Sequence, residues 1–329
     1  MIYLPKVLIT VSIPLPLMSD LSVELAGLKA KNPVFLASGI LDETGASMAR
    51  VAEAGAGGLV TKSVGLEARP GHPNPTVAEV PCGLLNAMGL PNPGIREYIR
   101  EIEEARESGV PVVVSIYGGS EEDFVLLAEL AKDAGADALE LNMSCPHASG
   151  LGLEMGQDPV FAESIVKAVK HSSGIPVFPK LSPHVNNLED MAIALKRGGA
   201  DAIVAVNTLR AMAIDVDARC PVLGNIRGGL SGPAIKPVGL RMVYDLARLK
   251  LLPIVGVGGI ANGRDALEYI MAGASIVQVG TACLTRGPEA CGIIARELGI
   301  ILDEMGYDCV EGAVGAAHWL EDRNMEECK

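Results

Sequence analysis

The sequence predicts an α/β protein whose fold is a (β/α)8 TIM barrel, and three observations lead to this prediction. Short apolar runs rich in β-branched residues recur along the 329-residue chain, and each is followed by a segment of helical periodicity. The runs are apolar throughout rather than alternating, as expected of parallel strands covered on both faces. Eight such units in roughly 250 residues match the size of this barrel.

The predicted elements follow one another in a regular order. Strands are expected at residues 33–36, 58–61, 110–115, 138–141, 176–179, 202–206, 253–257 and 275–279. Helical segments separate them at residues 47–54, 95–107, 122–134, 159–170, 188–197, 236–248 and 264–272. The 38 glycine and 21 proline residues suit the many loops that this alternation requires.

Polar residues or glycines follow the predicted strands. The active site of a (β/α)8 barrel lies at the C-terminal ends of the strands, so these residues predict a site there. A rim that draws such residues from all eight strands is difficult to explain by stability alone. In chain order the rim contains Ser38, Thr61, Lys62, Ser63, Ser115, Asn142, Ser144, Cys145, Lys180, Asn207, Thr208, Gly258, Gly259, Gly280 and Thr281.

Composition argues against several other classes of protein. The net charge of -13 is unfavourable for nucleic acid, whose phosphates attract clustered Lys and Arg, and an aromatic content of 3% offers little base stacking. The seven cysteines are scattered and never spaced CxxC, which indicates a reducing, cytoplasmic location. They also provide no recognisable ligand set for a metal or an iron–sulfur cluster in this chain.

The N-terminus is predicted to be an extension, residues 1–19, ahead of a barrel at residues 20–329. Residues 7–18 are apolar, but Pro14 and Pro16 interrupt them and no small-residue cleavage site follows. A membrane helix needs about 20 apolar residues. We therefore expect neither secretion nor a membrane span.

The segment GVGGIA at residues 256–261 fits the GxGxxA pattern of a doubly wound dinucleotide-binding fold. That fold places an acidic residue on the ribose about 20 residues later, where this chain has Gly280 and Thr281. We therefore interpret Gly258, Gly259, Gly280 and Thr281 as backbone donors around a phosphate, near a helix start. The alternative is that the glycines only permit tight turns.

Cys145 stands just beyond the fourth strand, in LELNMSCP at residues 139–146. A cysteine is most often a small core residue. Here polar Asn142 and Ser144 precede it and a glycine-bearing loop follows, so the thiol is expected to face the cleft as a base or nucleophile. The loop at residues 146–158 could close over the site.

Two lysines and two asparagines complete the candidate site. Lys62 and Lys180 end apolar strands, which directs each ammonium group into the cleft toward an anion, although most lysines are surface charges. Asn86 and Asn207 can donate and accept hydrogen bonds together, which suits a ring bearing amide and carbonyl groups. Asparagines that only cap turns are the alternative.

Several segments together resemble a known family. They are NPVFLASG (32–39), TKSVG (61–65), NAMGLPNPG (86–94), LNMSCP (141–146), VFPKLSP (177–183), VNT (206–208), GGLSGPAIKPV (228–238), VGGI (257–260) and GASIVQVGTA (273–282). With these motifs the chain resembles the class 1 dihydroorotate dehydrogenases, and GGLSGPAIKPV is typical of the catalytic subunit of the B type. The resemblance runs from about residue 20 onward.

The resemblance implies a barrel that holds FMN and oxidises dihydroorotate to orotate in pyrimidine (UMP) biosynthesis. Cys145 matches the family's base, which takes a proton from ring carbon five while hydride leaves carbon six for the flavin. The residues that match substrate contacts are Lys62, Asn86, Met88, Gly89, Leu90, Asn142, Asn207 and Thr208. Those that match FMN contacts are Ser38, Lys62, Ser63, Asn142, Lys180, Val206, Gly232, Gly258, Gly259, Gly280 and Thr281.

These implied roles agree with simple electrostatics. Lys180, carried over beside the pyrimidine edge of the flavin, would stabilise the negative charge that reduction creates. Lys62 can neutralise the orotate carboxylate, and the backbone N–H groups of residues 88–90 would form an anion-binding nest.

Two positions depart from the family pattern. His147 stands where dihydroorotate enzymes usually carry Asn, and SCPH with GQDP (156–159) is similar to the FMN domain of dihydropyrimidine dehydrogenase, which makes dihydrouracil an alternative substrate. Ser115 replaces a more usual Asn near the flavin. A flavin-free, phosphate-binding isomerase or lyase that uses Lys180 is a further alternative, and so is a non-catalytic binding subunit.

The B-type resemblance also implies a partner. Electrons would leave through a separate subunit that carries FAD and an iron–sulfur cluster and would end on NAD. The catalytic chain is expected to form a homodimer, and two such chains with two partner subunits would form a heterotetramer.

Overall fold

The computed structural model describes residues 19–143 and 155–319, which form a closed barrel of eight parallel strands. Each strand pairs with its neighbours in chain order, and the barrel closes where Val277 of the last strand stands opposite Val34 of the first. The predicted (β/α)8 barrel is thus confirmed. The strands are β1 (Val34–Leu36), β2 (Gly58–Val60), β3 (Val112–Ile116), β4 (Ala138–Asn142), β5 (Val177–Leu181), β6 (Ile203–Ala205), β7 (Ile254–Val257) and β8 (Ala274–Val279).

Helices surround the barrel. They are α1 (Gly45–Glu53), α2 (Ile95–Arg106), α3 (Glu121–Asp133), α4 (Pro159–Ser173), α5 (Leu188–Gly198), α6 (Lys236–Arg248), α7 (Gly263–Met271), α8 (Ala282–Arg286) and α9 (Ala290–Met305). The seven predicted helices are confirmed as α1 to α7, and α8 and α9 were not predicted. Side-chain caps begin several of them: Ser120 accepts from the Asp123 amide before α3, and Asp158 caps α4 ahead of a proline in the first turn.

The barrel interior has an apolar layer below and a polar layer above. Phe35 of β1 and Phe178 of β5 are buried among small and β-branched residues of the other strands. Because side chains alternate along a strand, position 180, two residues after Phe178, points to the same interior. Lys180 on β5, Glu140 on β4 and Gln278 on β8 are all buried and form the polar layer nearer the carboxyl ends.

A four-stranded antiparallel sheet stands beside the mouth of the barrel, and the sequence did not reveal it. Its strands come from the loops after β2 and β6, in the order Leu209–Ala211, Gly228–Ser231, Gly83–Asn86 and Val77–Val80. Gly228 permits the close pairing, since a Cβ there would lie 2.2 Å from the carbonyl oxygen of Asn86.

Several predictions concern residues outside the described part. They include residues 1–18 of the predicted extension, Cys145, His147, and positions 146–154 of the predicted lid loop. Between residues 19 and 319, the described helices lack the combination of length and apolar character that a bilayer span requires.

Candidate active site

A cavity of about 930 Å³ opens at the carboxyl ends of the barrel strands, and the antiparallel sheet forms one wall. It brings together nearly all the predicted site residues. The exceptions are Gly89, Thr61 and Ser115, which do not line it, and Ser144 and Cys145, which are outside the described residues. The predicted residues that line the cavity are Ser38, Lys62, Ser63, Asn86, Met88, Leu90, Asn142, Lys180, Val206, Asn207, Thr208, Gly232, Gly258, Gly259, Gly280 and Thr281.

A chain of hydrogen bonds connects five strand ends at the rim, centred on Ser63. Its hydroxyl lies 3.3 Å from the Ser38 hydroxyl and 2.8 Å from the buried Ser115 hydroxyl, and it accepts from the Asn142 amide at 3.2 Å. The Asn142 side-chain oxygen in turn accepts from the Asn207 amide at 3.3 Å. This chain holds two amides at the cavity, and it gives the buried Ser115 hydroxyl a partner.

The cavity floor carries a buried ion pair that was not predicted from the sequence. The Lys180 ammonium lies 3.1 Å from Glu140 Oε1 and 3.3 Å from Gln278 Oε1. The Gln278 amide donates to Glu140 Oε2 at 2.8 Å. A signal was present, because Glu140 and Gln278 are polar residues inside otherwise apolar strands. Buried charges persist only when paired and hydrogen-bonded, as these are.

The loop after β1 places two acidic residues beside Lys62. Glu43 is largely exposed and lies 3.4 Å from the Lys62 ammonium. Asp42 is 1% exposed, accepts the Gly39 N–H through Oδ2, and has no partner for Oδ1 among the described residues. Burial raises the pKa of the Asp42 carboxyl, against the lowering effects of the Gly39 N–H and the Lys62 charge. This corner therefore combines a cation with a carboxyl group that resists ionisation.

Four glycines and a threonine build a cradle in the wall of the cavity, which we define as Gly232, Gly258, Gly259, Gly280 and Thr281. The first three have left-handed backbones, with φ of 87°, 127° and 74°. A Cβ at Gly259 would lie 2.7 Å from the Gly232 carbonyl oxygen. Within the described residues, no group accepts a hydrogen bond from the backbone N–H of Gly259, Gly280 or Thr281. Convergent N–H groups of this kind bind anions.

The loop that follows the Gly83–Asn86 strand turns sharply at Gly89 and Leu90, which have φ of 76° and 56°. Met88 and Leu90 face the cavity, while Gly89 packs against His72. The His72 N–H holds the loop by donating to the Met88 carbonyl oxygen at 2.9 Å. The Asn86 amide donates to the Gly229 carbonyl oxygen at 3.2 Å, so the paired strands fix this side chain.

An eight-stranded barrel with a polar cleft at the carboxyl ends of its strands defines a (β/α)8-barrel enzyme. The family model for dihydroorotate dehydrogenase matches residues 20–302, and the chain belongs to this family of oxidoreductases.

Similar proteins carry the same family name. The chain is 48% identical over 298 residues to the catalytic subunit of dihydroorotate dehydrogenase B (NAD(+)) from Pyrococcus furiosus, covering 91% of this chain and 99% of the relative. It is 52% identical over 256 residues to the subunit of that name from Methanocella arvoryzae, covering 78% and 84%. For Methanocaldococcus jannaschii the identity is 48% over 304 residues, covering 91% and 98%. The family resemblance drawn from the motifs is confirmed.

Proposed function

We propose that this chain uses FMN to oxidise dihydroorotate to orotate in pyrimidine biosynthesis. The observation that carries the proposal is the convergence, on one cavity, of a glycine cradle, two lysines and three asparagine side chains. The names of the relatives support the same activity.

The cavity fits FMN in size and in chemistry. Its volume of about 930 Å³ lies at the upper end of the ~300–1,000 Å³ typical of ligand pockets. The cradle offers N–H groups for the phosphate, and a side chain at Gly259 would fill the cradle. When bound, FMN accepts a hydride from the substrate. We assign its binding to Ser38, Lys62, Ser63, Asn142, Lys180, Val206, Gly232, Gly258, Gly259, Gly280 and Thr281.

The other groups in the cavity suit a carboxylated pyrimidine ring. The Lys62 ammonium would neutralise the carboxylate, helped by backbone N–H groups of residues 88–90. Asn86, Asn142, Asn207 and Thr208 would pair with the amide and carbonyl groups of the ring. Because Asn142 and Asn207 bond to each other, they would bind the ring as one rigid unit.

Cys145 completes the proposed reaction as the base. It follows the last residue of β4, Asn142, by three positions, and Asn142 lines the cavity. The thiolate would take the proton from ring carbon five as the hydride leaves ring carbon six, so that a carbon–carbon double bond forms and the substrate loses two electrons and two hydrogens.

The electrons would pass to NAD through a separate subunit with FAD and an iron–sulfur cluster. The relatives are named as NAD(+)-type catalytic subunits, and the cysteines of this chain are nowhere spaced CxxC. If the isolated chain reduces NAD at the full rate, or if fumarate is the efficient acceptor, this part of the proposal is wrong. A homodimer within a heterotetramer remains a prediction.

Anaerobic titration of the purified chain tests the activity. A yellow protein containing FMN, whose visible absorbance bleaches with dihydroorotate and not with dihydrouracil, is the expected result. Bleaching by dihydrouracil alone would favour the dihydropyrimidine dehydrogenase reaction that His147 suggests. A colourless chain that binds no added FMN would favour the isomerase or lyase alternative.

A further inference from the structure

The ion pair in the cavity floor lies between three barrel strands and faces the cavity from each of them. Glu140 is fully buried, and Lys180 and Gln278 are 6% and 3% exposed. All three line the cavity. The Glu140 carboxylate accepts from both other residues, through different oxygens. The Lys180 ammonium is therefore held from two strands besides its own.

The charge of Glu140 affects the electrostatic potential felt by any ligand that binds in the cavity above the floor. Charges in a buried setting interact far more strongly than in water, because little solvent screens them. With Glu140 ionised, the floor carries a cation and an anion a few ångströms apart and has no net charge. Replacing that carboxylate by an amide of the same shape would leave an uncompensated cation.

We propose that Glu140 and Gln278 are positioning residues that act through Lys180 on the bound flavin. They fix the ammonium group in place, and the Glu140 charge offsets part of its field, which keeps the reduction potential of FMN low. A low potential makes the reduced cofactor a strong electron donor to the next carrier. This inference rests on the proposed FMN-dependent function.

The test compares charge removal with charge relocation. Glu140→Gln is expected to shift the reduction equilibrium of bound FMN about tenfold toward the reduced form, a rise of about 30 mV for a two-electron couple. The double variant Glu140→Gln/Gln278→Glu returns the carboxylate to Lys180 from β8. The reduction equilibrium of its bound FMN should therefore lie within twofold of the wild-type value. Sulfite affinity gives a second readout, because the flavin–sulfite adduct is also anionic.

Glu79→Gln is the matched control, because Glu79 is an exposed carboxylate on the wall of the same cavity. Solvent screening should keep the effect of Glu79→Gln on the reduction equilibrium of FMN below twofold. If Glu140 had a purely structural role, FMN binding would be weaker in Glu140→Gln and in the double variant, and the double variant would not regain the wild-type potential.

Each outcome decides the question. An unchanged or lowered potential in Glu140→Gln, or a double variant that stays shifted, overturns the inference while the proposed function stands. If Glu140→Gln does not retain FMN, the double variant is measured instead. A double variant that loses FMN, or whose bound FMN has a reduction potential different from that of wild type, overturns the inference. A wild-type chain that binds no FMN overturns the proposed function and the inference together.

Discussion

The hydroxyl group of Tyr269 donates a hydrogen bond of 2.7 Å to the carbonyl oxygen of Gly258. The tyrosine is on α7 and fully buried, and burial raises the pKa of its hydroxyl, which therefore remains a donor. Two glycines make room for the ring: a Cβ at Gly239 would lie 2.2 Å from the hydroxyl, and one at Gly256 would lie 2.6 Å from the ring. Helix α7 thus supports the cradle from behind.

Tyr269→Phe is expected to weaken both the fold and cofactor binding. The carbonyl oxygen of Gly258 would lose its buried donor, which costs about 1–3 kcal/mol. Urea unfolding of the FMN-free chain should show this loss, and fluorescence titration should show a raised Kd for FMN. Tyr307→Phe is the control, because its hydroxyl is not bonded to any described residue. An unchanged Kd in Tyr269→Phe would mean that α7 does not support the cradle.

Gly259→Ala is expected to abolish FMN retention. The new Cβ would be 2.7 Å from the Gly232 carbonyl oxygen and 2.9 Å from the Lys236 nitrogen, so the cradle must open. Gly306→Ala is the control, since its φ of 76° is close to the 74° at Gly259, but nothing lies within 4 Å of the new Cβ. FMN content after gel filtration should fall at least about tenfold in the first variant and remain near wild type in the second. Equal losses would point to backbone strain alone.

Asp42→Asn is expected to remove a pH dependence of stability. Burial raises the folded-state pKa of this carboxyl above its ordinary 3.8, so the folded protein holds the proton more tightly than the unfolded chain. The resulting stabilisation is complete below pH 3.8 and is lost as the pH rises through the folded-state pKa.

Thermal unfolding checks this prediction for Asp42. The Tm of the Asn variant minus that of wild type should increase from acidic toward neutral pH. Lys62, Glu43 and Tyr98 lie nearby and are retained in both proteins, so their contributions should largely cancel. A difference that is constant with pH would show that the carboxyl does not titrate in the expected direction.

Glu43→Gln is expected to lower the KM for dihydroorotate. The Glu43 carboxylate lies 3.4 Å from Lys62 and would compete with the carboxylate of the substrate. Since its side chain is 72% exposed, the pair should contribute no more than about 1 kcal/mol, a change in KM of about two- to fivefold with kcat nearly constant. Steady-state kinetics at low and high salt would measure this, with Glu79→Gln as the control. A raised KM would mean that Glu43 assists binding.

Cys145→Ala is expected to bind FMN yet fail to reduce it at a normal rate, because the proposed base is lost. A free thiol has a pKa of about 8.5, so wild-type activity should fall with decreasing pH. Stopped-flow reduction by dihydroorotate measures the effect. Cys220→Ala, at an exposed position on the Cys220–Pro221 strand, is the control. Near-normal reduction in Cys145→Ala would remove this residue from the mechanism.

The barrel could be predicted because its strands are buried on both faces and so appear as continuous apolar runs. The same property left the partner of Lys180 unpredicted, although Glu140 stands out as a polar residue in its strand. In the strand ALELN, nothing in the local pattern shows that Glu140 points inward rather than toward the helices, because both directions are apolar. Only the register of the closed barrel brings it to Lys180.

The antiparallel sheet could not be predicted for a different reason. Its central contact joins Asn86 to Gly229, 143 positions later in the chain. Such pairing depends on the barrel holding two distant loops together, and the short strands have no strong local signal of their own. The polar residues at the strand ends were predictable because each lies directly at the end of its strand in the sequence. Their prediction does not require knowledge of which distant residues they contact.

The cradle begins at Gly232, and the barrel closes only when β8 pairs with β1. On the ribosome, therefore, Lys62 and Asn86 emerge long before the groups that complete their cavity. A nascent chain ending before Ala274 lacks the closing strand and two of the five cradle residues, Gly280 and Thr281, however well its first units have formed. If the chain holds FMN as proposed, loading is therefore expected only after the last barrel unit is made, and a chain that terminates earlier is expected to lack a complete site.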